Sequence, residues 1–353
     1  TDKEVGADEV SLTAVRPYGP EPDNEANRLK HLPLSLANSI IDRRFEILAK
    51  EEGAAIVNGG AGRFVMFKAV DFVSADVTPV EGKWREALAV LEQELRRAIE
   101  HGFTAAELAE VKANTLNAYE EAVKRVATRK SDGRGGLASQ LASAVNANRV
   151  FSTPEEDLRI VRKGLESLTV EDCHAALQKI WDTGDLALTL TTKEASADTK
   201  EELASLFEAS RALAVNPPKE EEQKAFAYTD FGPAGTVVSD RMVEDLGIRQ
   251  LVLSNRIRVN LKPTDFEKNS ISMTARFGGG KLTQPKDRTG LDGFTSMLLN
   301  AGGLAKHSED ELQRILAGRN VGTGFGIDGD AFFVNGRTTP DDLELQLQLL
   351  SAS

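Results

Sequence analysis

A chain of 353 residues with 41% apolar residues is long enough for two cores, and its formal charge of −12 argues against a nucleic-acid or anionic-membrane surface, which would need a basic stripe. An acidic wall could favour cationic peptides, although net negative charge more often serves solubility. The lone cysteine, Cys173, excludes an internal disulfide and a thiolate metal cluster, and no run of about eighteen apolar residues predicts a membrane span. The first residue is Thr1, with no initiator methionine and no basic-then-apolar leader, so the sequence reads as a processed or excised piece of a longer protein.

Leu34 to about Glu51 predicts a helix, followed by a turn at Gly59, Gly60 and Gly62. Phe64–Val77 predicts one extended strand or a bent pair, closed by Pro79. Trp84, Leu88, Leu91, Leu95 and Ile99 recur at helical spacing and stop at Gly102. Thr104 and Glu107 form a capping-box pattern that opens a second helix running to about Ala127. A glycine-rich loop at 131–136, a helix from Leu137 to Ala147 and a helix start at Thr153-Pro154 follow. Thr169 is read as the cap of a helix whose inner face is Cys173, Ala176, Leu177 and Ile180. That helix is expected to end at Gly184, before an alternating strand through Leu186, Leu188 and Leu190.

One more helix fits Lys200–Leu213, after which Pro217-Pro218, the charged run Lys219–Glu222, Gly232-Pro233 and Gly235 read as a linker. Beyond it, Ile248–Leu253 and Ile257–Lys262 flank Ser254-Asn255-Arg256 as a hairpin. Ile271, Met273, Ala275 and Phe277 alternate in a third strand that ends at Gly278. Helices fit Leu291–Asn300 and Glu309–Leu316, a strand fits Ala331–Val334, and Thr339-Pro340 is expected to cap a last helix. Strands interleaved with helices in this order predict an α+β fold, helices lying on one face of each sheet.

The four histidines, His31, His101, His174 and His307, are isolated in sequence, so no i, i+4 pair can grip an ion from one helix face. His101 reads as a helix-end residue, and His174 as packed beside a core stripe. In His307-Ser308-Glu309-Asp310-Glu311, Ser308 and Glu311 form a capping box, with acids suited to a helix N-terminus rather than to a metal. Cys173 reads as an inert core thiol. Neither Gly59-Gly60-Ala61-Gly62 nor Gly278-Gly279-Gly280 carries a phosphate-loop ending, and no nucleophile elbow or Ser/His/Asp set can be assembled.

Leu253-Ser-Asn-Arg-Ile-Arg-Val-Asn-Leu-Lys-Pro-Thr-Asp-Phe266 resembles the opening hairpin of a repeat in the pitrilysin/insulinase-type zinc metallopeptidases, and Gly290-Leu291 resembles the lead into the family's zinc helix. Leu36-Ala-Asn-Ser-Ile-Ile-Asp-Arg-Arg-Phe45, Glu51-Glu52-Gly53 and Thr104-Ala-Ala-Glu-Leu108 resemble elements of a preceding half-unit. The resemblance implies half-units that are each a mostly antiparallel sheet with helices packed on one face. Residues 1–213 would be the second half-unit of a first repeat, 214–246 a linker, and 247–353 the start of an inactive second repeat. In active members that helix carries His-x-x-Glu-His, which binds zinc and activates water. On the match, the ligand positions fall at Gly293 and Met297 and the general-base position at Ser296, so no catalytic or metal residue is expected here.

The resemblance further implies a clamshell chamber for peptide or unfolded protein substrates, with zinc held in a first half-unit upstream of Thr1. This segment would then form chamber wall and substrate-binding surface, partnered by the remaining half-units. The alternative is an inactive family member acting as a structural or partner subunit, or a peptide-binding module. Neither nucleic acid nor membrane is an expected partner, and a periplasmic or otherwise exported setting follows from family analogy alone.

Overall fold

A computed structural model describes residues 4–182, 185–193, 199–220 and 224–353, which divide into two compact units. Unit 1 comprises the described residues up to Tyr119 and those from Ser139 up to residue 220; unit 2 comprises Glu120–Ala138 and Lys224–Ser353. The expected helix stop at Gly184 and the end of the charged run at Glu222 lie outside the described residues.

Unit 1 opens with β1 (Glu9–Pro17), whose Val10, Leu12 and Ala14 alternate inward. Helix α1 (Glu25–Ala49) begins well before the expected Leu34, because the Asn24 side chain accepts the Asn27 N–H at 2.9 Å and caps it. It continues through Pro33. Strands β2 (Ile56–Met66) and β3 (Val70–Pro79) form a hairpin that turns through Phe67 and Lys68, both left-handed at φ 53°.

The glycines expected to make a turn instead lie inside β2. A side chain at Gly59 would put its Cβ 2.7 Å from Val77 and 2.9 Å from Phe45, so only glycine lets α1 and the strand approach this closely.

Helix α2 (Trp84–His101) ends at Gly102, φ 73°. In α3 (Ala105–Lys124) the capping box forms as expected: Thr104 N–H donates to Glu107 at 2.7 Å, and Glu107 N–H to the Thr104 hydroxyl at 3.2 Å. Next come α4 (Leu137–Asn146), α5 (Pro154–Ser167, capped by Thr153) and α6 (Val170–Trp181, boxed by Thr169 and Asp172). Strand β4 (Leu186–Thr191) and helix α7 (Thr199–Arg211) follow.

The sheet order is β2-β3-β1-β4, with every neighbouring pair antiparallel. One face carries Leu12, Val73 and Val77 into a core with Ile40, Ile41 and Phe45 of α1, Leu88 and Leu91 of α2, and Leu177 of α6. Inside that packing, Arg44 donates to Glu107 at 2.6 Å, to Glu94 at 3.1 Å and to the Gly102 carbonyl at 3.0 Å. This network joins three helices through one guanidinium.

Unit 2 contains β5 (Val237–Val243), β6 (Ile248–Leu253) and β7 (Arg258–Leu261) in one antiparallel sheet. Strand β5 falls within the stretch read as linker, where Pro and Gly on either side hid a short extended run. Strand β8 (Ile271–Phe277) does not continue that sheet. After α8 (Leu291–Ala301), α9 (Glu309–Ile315) and β9 (Gly324–Ile327), it pairs with β10 (Phe332–Thr338) in a second sheet ordered β8-β10-β9.

The last helix, α10 (Leu343–Ala352), starts later than expected. Asp342, not Thr339, stands at its N-cap, and the Asp342 carboxylate turns to Arg319 at 3.2 Å and to the Asn320 N–H at 2.8 Å. Strands and helices in both units make this an α+β protein, with helices packed on one face of the unit 1 sheet.

Candidate functional site

Helix α8 carries Gly293, Ser296 and Met297, the positions singled out by the sequence resemblance. Gly290 precedes it in a left-handed conformation, φ 85°, and its carbonyl accepts the Phe294 N–H at 3.0 Å, starting the helix directly behind the turn. Asp292 in the first turn pairs with Lys281 at 2.7 Å, and Lys281, then the Gly293 N–H, hold its carboxyl below the usual range. Asn300 fixes the other end: its amide donates to the Phe325 carbonyl at 3.0 Å and accepts the Phe325 N–H at 2.6 Å, filling both backbone sites at one residue of β9.

Between these anchors Phe294, Met297, Leu298 and Leu299 are exposed, and no residue of α8 is buried. Gly293, Ser296 and Met297 offer no side chain, a hydroxyl and a thioether. That donor set does not fit a zinc ion, which takes imidazole, thiolate or carboxylate. Among the described residues, no three His, Cys, Asp or Glu side chains come together in a way that could hold a metal ion.

The histidines stand apart, each with its own partners. His31 lies between Glu21, 2.9 Å from Nε2, and Arg63, whose guanidinium donates to Nδ1 at 3.2 Å. His101 ends α2 and donates from Nε2 to the Val215 carbonyl at 2.9 Å. His174 donates from Nε2 to the Ile99 carbonyl at 2.8 Å. Cys173 is buried beside it, and burial, then Asp172, push its thiol up to about 11.

The capping box of Ser308 and Glu311 forms on α9. His307, next to it, has a role that isolated sequence reading missed. It is buried, its Nε2 accepts the Ala227 N–H at 3.0 Å, and its ring stacks on Phe226 at 5.9 Å and meets Tyr228 edge-on at 6.0 Å. Lys306 N–H donates to the Tyr228 hydroxyl at 2.9 Å, and Lys224 pairs with Glu311, so residues 224–228 clasp the start of α9. The Phe-x-Tyr spacing at Phe226 and Tyr228 was the visible signal, since alternate residues of an extended segment share a side.

No family model matches the chain. Over 312 residues it is 23% identical to a curated protein of Escherichia coli (strain K12) named as a probable zinc protease, PqqL, an alignment covering 85% of this chain and 32% of the relative. The chain therefore spans about a third of the length of the curated relative it matches. The crystal structure of the periplasmic protease PqqL from Escherichia coli matches with TM-score 0.56 and 22% identity, over 99% of this chain and 39% of that one. The chain is similar in sequence to a zinc protease and shares the fold of the solved PqqL structure.

Two further solved structures share the fold. A mutant of the ferredoxin protease FusC, in complex with Arabidopsis ferredoxin, matches with TM-score 0.57 and 13% identity over 100% of this chain and 39% of that chain. Pitrilysin matches with TM-score 0.54 and 12% identity over 98% and 36%.

Proposed function

We propose that this chain forms non-catalytic wall of a pitrilysin/insulinase-type endopeptidase, contacting peptide or unfolded-protein substrates that a zinc-bearing half-unit elsewhere in the protein cleaves. The observation that carries the reading is α8: it begins with the family's Gly-Leu turn, yet Gly293, Ser296 and Met297 stand where ligands and general base would be. In this reading residues 1–213 complete a first repeat, 214–246 link, and 247–353 open an inactive second repeat. The periplasmic location of PqqL supports an exported setting for this protein.

Zinc content and peptide cleavage test it, measured on this chain and on a form extended toward the N-terminus by about 250 residues, the size of a domain with its margins. Zinc and cleavage confined to the longer form are the expected result. Stoichiometric zinc in this chain overturns the reading, and absence of zinc and cleavage from both forms points instead to an inactive partner subunit.

A further inference from the structure

One face of the unit 1 sheet is covered by helices, and strand register organises the other into two crosswise bands. Phe64, Phe72 and Val15 stand side by side across β2, β3 and β1. The Phe64 and Phe72 rings stack at 5.0 Å between centroids, while Phe64 and Val15 are each 48% exposed. Four residues further along β3, Asp76 lies opposite Gly60 on β2 and Ser11 on β1, on the same face. Between the bands run only small side chains, Ser74 flanked by Gly62 and Thr13.

A second carboxylate reaches the Asp76 band from α1. Asp42 accepts the Ala61 N–H at 2.7 Å and lies 3.2 Å from where a side chain on Gly60 would begin. The missing side chain at Gly60 therefore makes room for the Asp42 carboxylate, and at Gly62 a side chain would meet nothing within 4 Å. The charged groups acting on Asp76 are Glu9 and Asp42, both carboxylates, and among the described residues no Lys, Arg or His ion pair engages any of the three. Burial and this like charge hold the Asp76 carboxyl above its usual range, an arrangement that a ligand cation relieves.

We propose that this open sheet face docks an extended peptide segment, with a basic side chain at Asp42 and Asp76 beside Gly60 and an apolar side chain, four residues away, on Phe64 and Phe72. Charge complementarity selects the occupant, and geometry sets the spacing. Residues i and i+4 of an extended strand project to the same side, and four residues span about 13 Å, the separation of the two bands along β3. The bare backbone at Gly60 and Gly62 and the small side chains between admit a strand lying flat. The proposal rests on the chamber-wall reading only for the occupant being a substrate.

Fluorescence anisotropy on this chain tests it with labelled Gly/Ser decapeptides carrying Lys and Phe four positions apart, Glu and Phe at the same positions, or Lys and Phe adjacent. The spaced Lys/Phe peptide is expected to bind about tenfold tighter than the Glu/Phe peptide. Asp76→Lys should reverse that preference, Asp76→Asn reduce it, and Phe64→Ser weaken both peptides, with circular dichroism confirming each fold. Equal binding of the Lys and Glu peptides, or a preference that survives Asp76→Lys, overturns the proposal. So does dimerisation that Asp76→Lys abolishes while no peptide binds, since a second copy then covers the face. Proteolysis by the longer form is scored separately. Its absence with the peptide preference intact sinks the chamber-wall reading alone, whereas proteolysis without the preference sinks this proposal alone.

Discussion

The two units are stabilised by different means. Unit 1 closes over a contiguous apolar core in which Ile41, Phe45, Val77, Leu88, Leu91 and Leu177 are all fully buried. Unit 2 buries few large apolar side chains, Val334 and Leu349 among them, and its interior includes Gln346, Asp342, Thr338, Thr339 and His307. Its elements are tied instead by directed bonds. Gln346 donates to the Gly322 carbonyl and accepts the Gly322 N–H, both at 2.9 Å, and Glu121 accepts from Asn269 at 3.0 Å. None of the residues in β5, β6 or β7 is buried. Apolar burial supplies most folding free energy, and a hydrogen bond adds little net while costing much when broken, so unit 1 should resist denaturant and unit 2 should open more readily.

The sharpest way to break this contrast is a cavity in each unit. Phe45→Ala should cost about 3–5 kcal/mol in urea unfolding, whereas Leu349→Ala should sit near the low end of the Leu→Ala range, about 2 kcal/mol. Equal losses would show that unit 2 has the tighter core. Arg44→Met should cost about 3 kcal/mol, because Glu107 and the Gly102 carbonyl would lose the guanidinium and the buried Glu94 would keep only Arg97. Gln346→Leu should cost about 2 kcal/mol, read by amide exchange in α10, because both backbone groups of Gly322 lose their partner.

Charge gives a smaller, pH-dependent test confined to unit 1. The carboxyls of Asp42 and Asp76 are raised, mainly by burial, so the native state holds protons that the unfolded chain releases. Their contribution is fully present below the ordinary carboxylate range and is lost as pH rises through the raised values. Asp76→Asn should flatten that limb in pH-dependent melting. Glu25 has the opposite sign: Arg159, then Lys163, hold it down to about 2, so its contribution is present above the ordinary range and is lost as pH falls toward that value. The smallest effect is kinetic. With its thiol pushed up to about 11 and its side chain buried, Cys173 should react with a thiol reagent at neutral pH only as fast as unit 1 opens, and labelling faster than amide exchange in α6 would contradict its burial.

What the sequence determined by itself was local. Thr104 with Glu107, Thr169 with Asp172 and Ser308 with Glu311 cap helices through bonds spanning three residues, and the apolar stripe of α2 follows from helical period alone, so all were legible without a fold. The turn at Gly290 ahead of α8 was legible for the same reason. Tertiary structure decided whatever depends on residues distant in the chain. Gly59 reads as a turn until Phe45 and Val77 press on it, and His307 looks isolated until Ala227, 80 residues away, donates to it. Asp42 meets Ala61 only because α1 lies along the edge of β2, and Phe64, Phe72 and Val15 form a band only through strand register. Register and packing angle are set by the whole core at once, and no window of neighbouring residues contains that information.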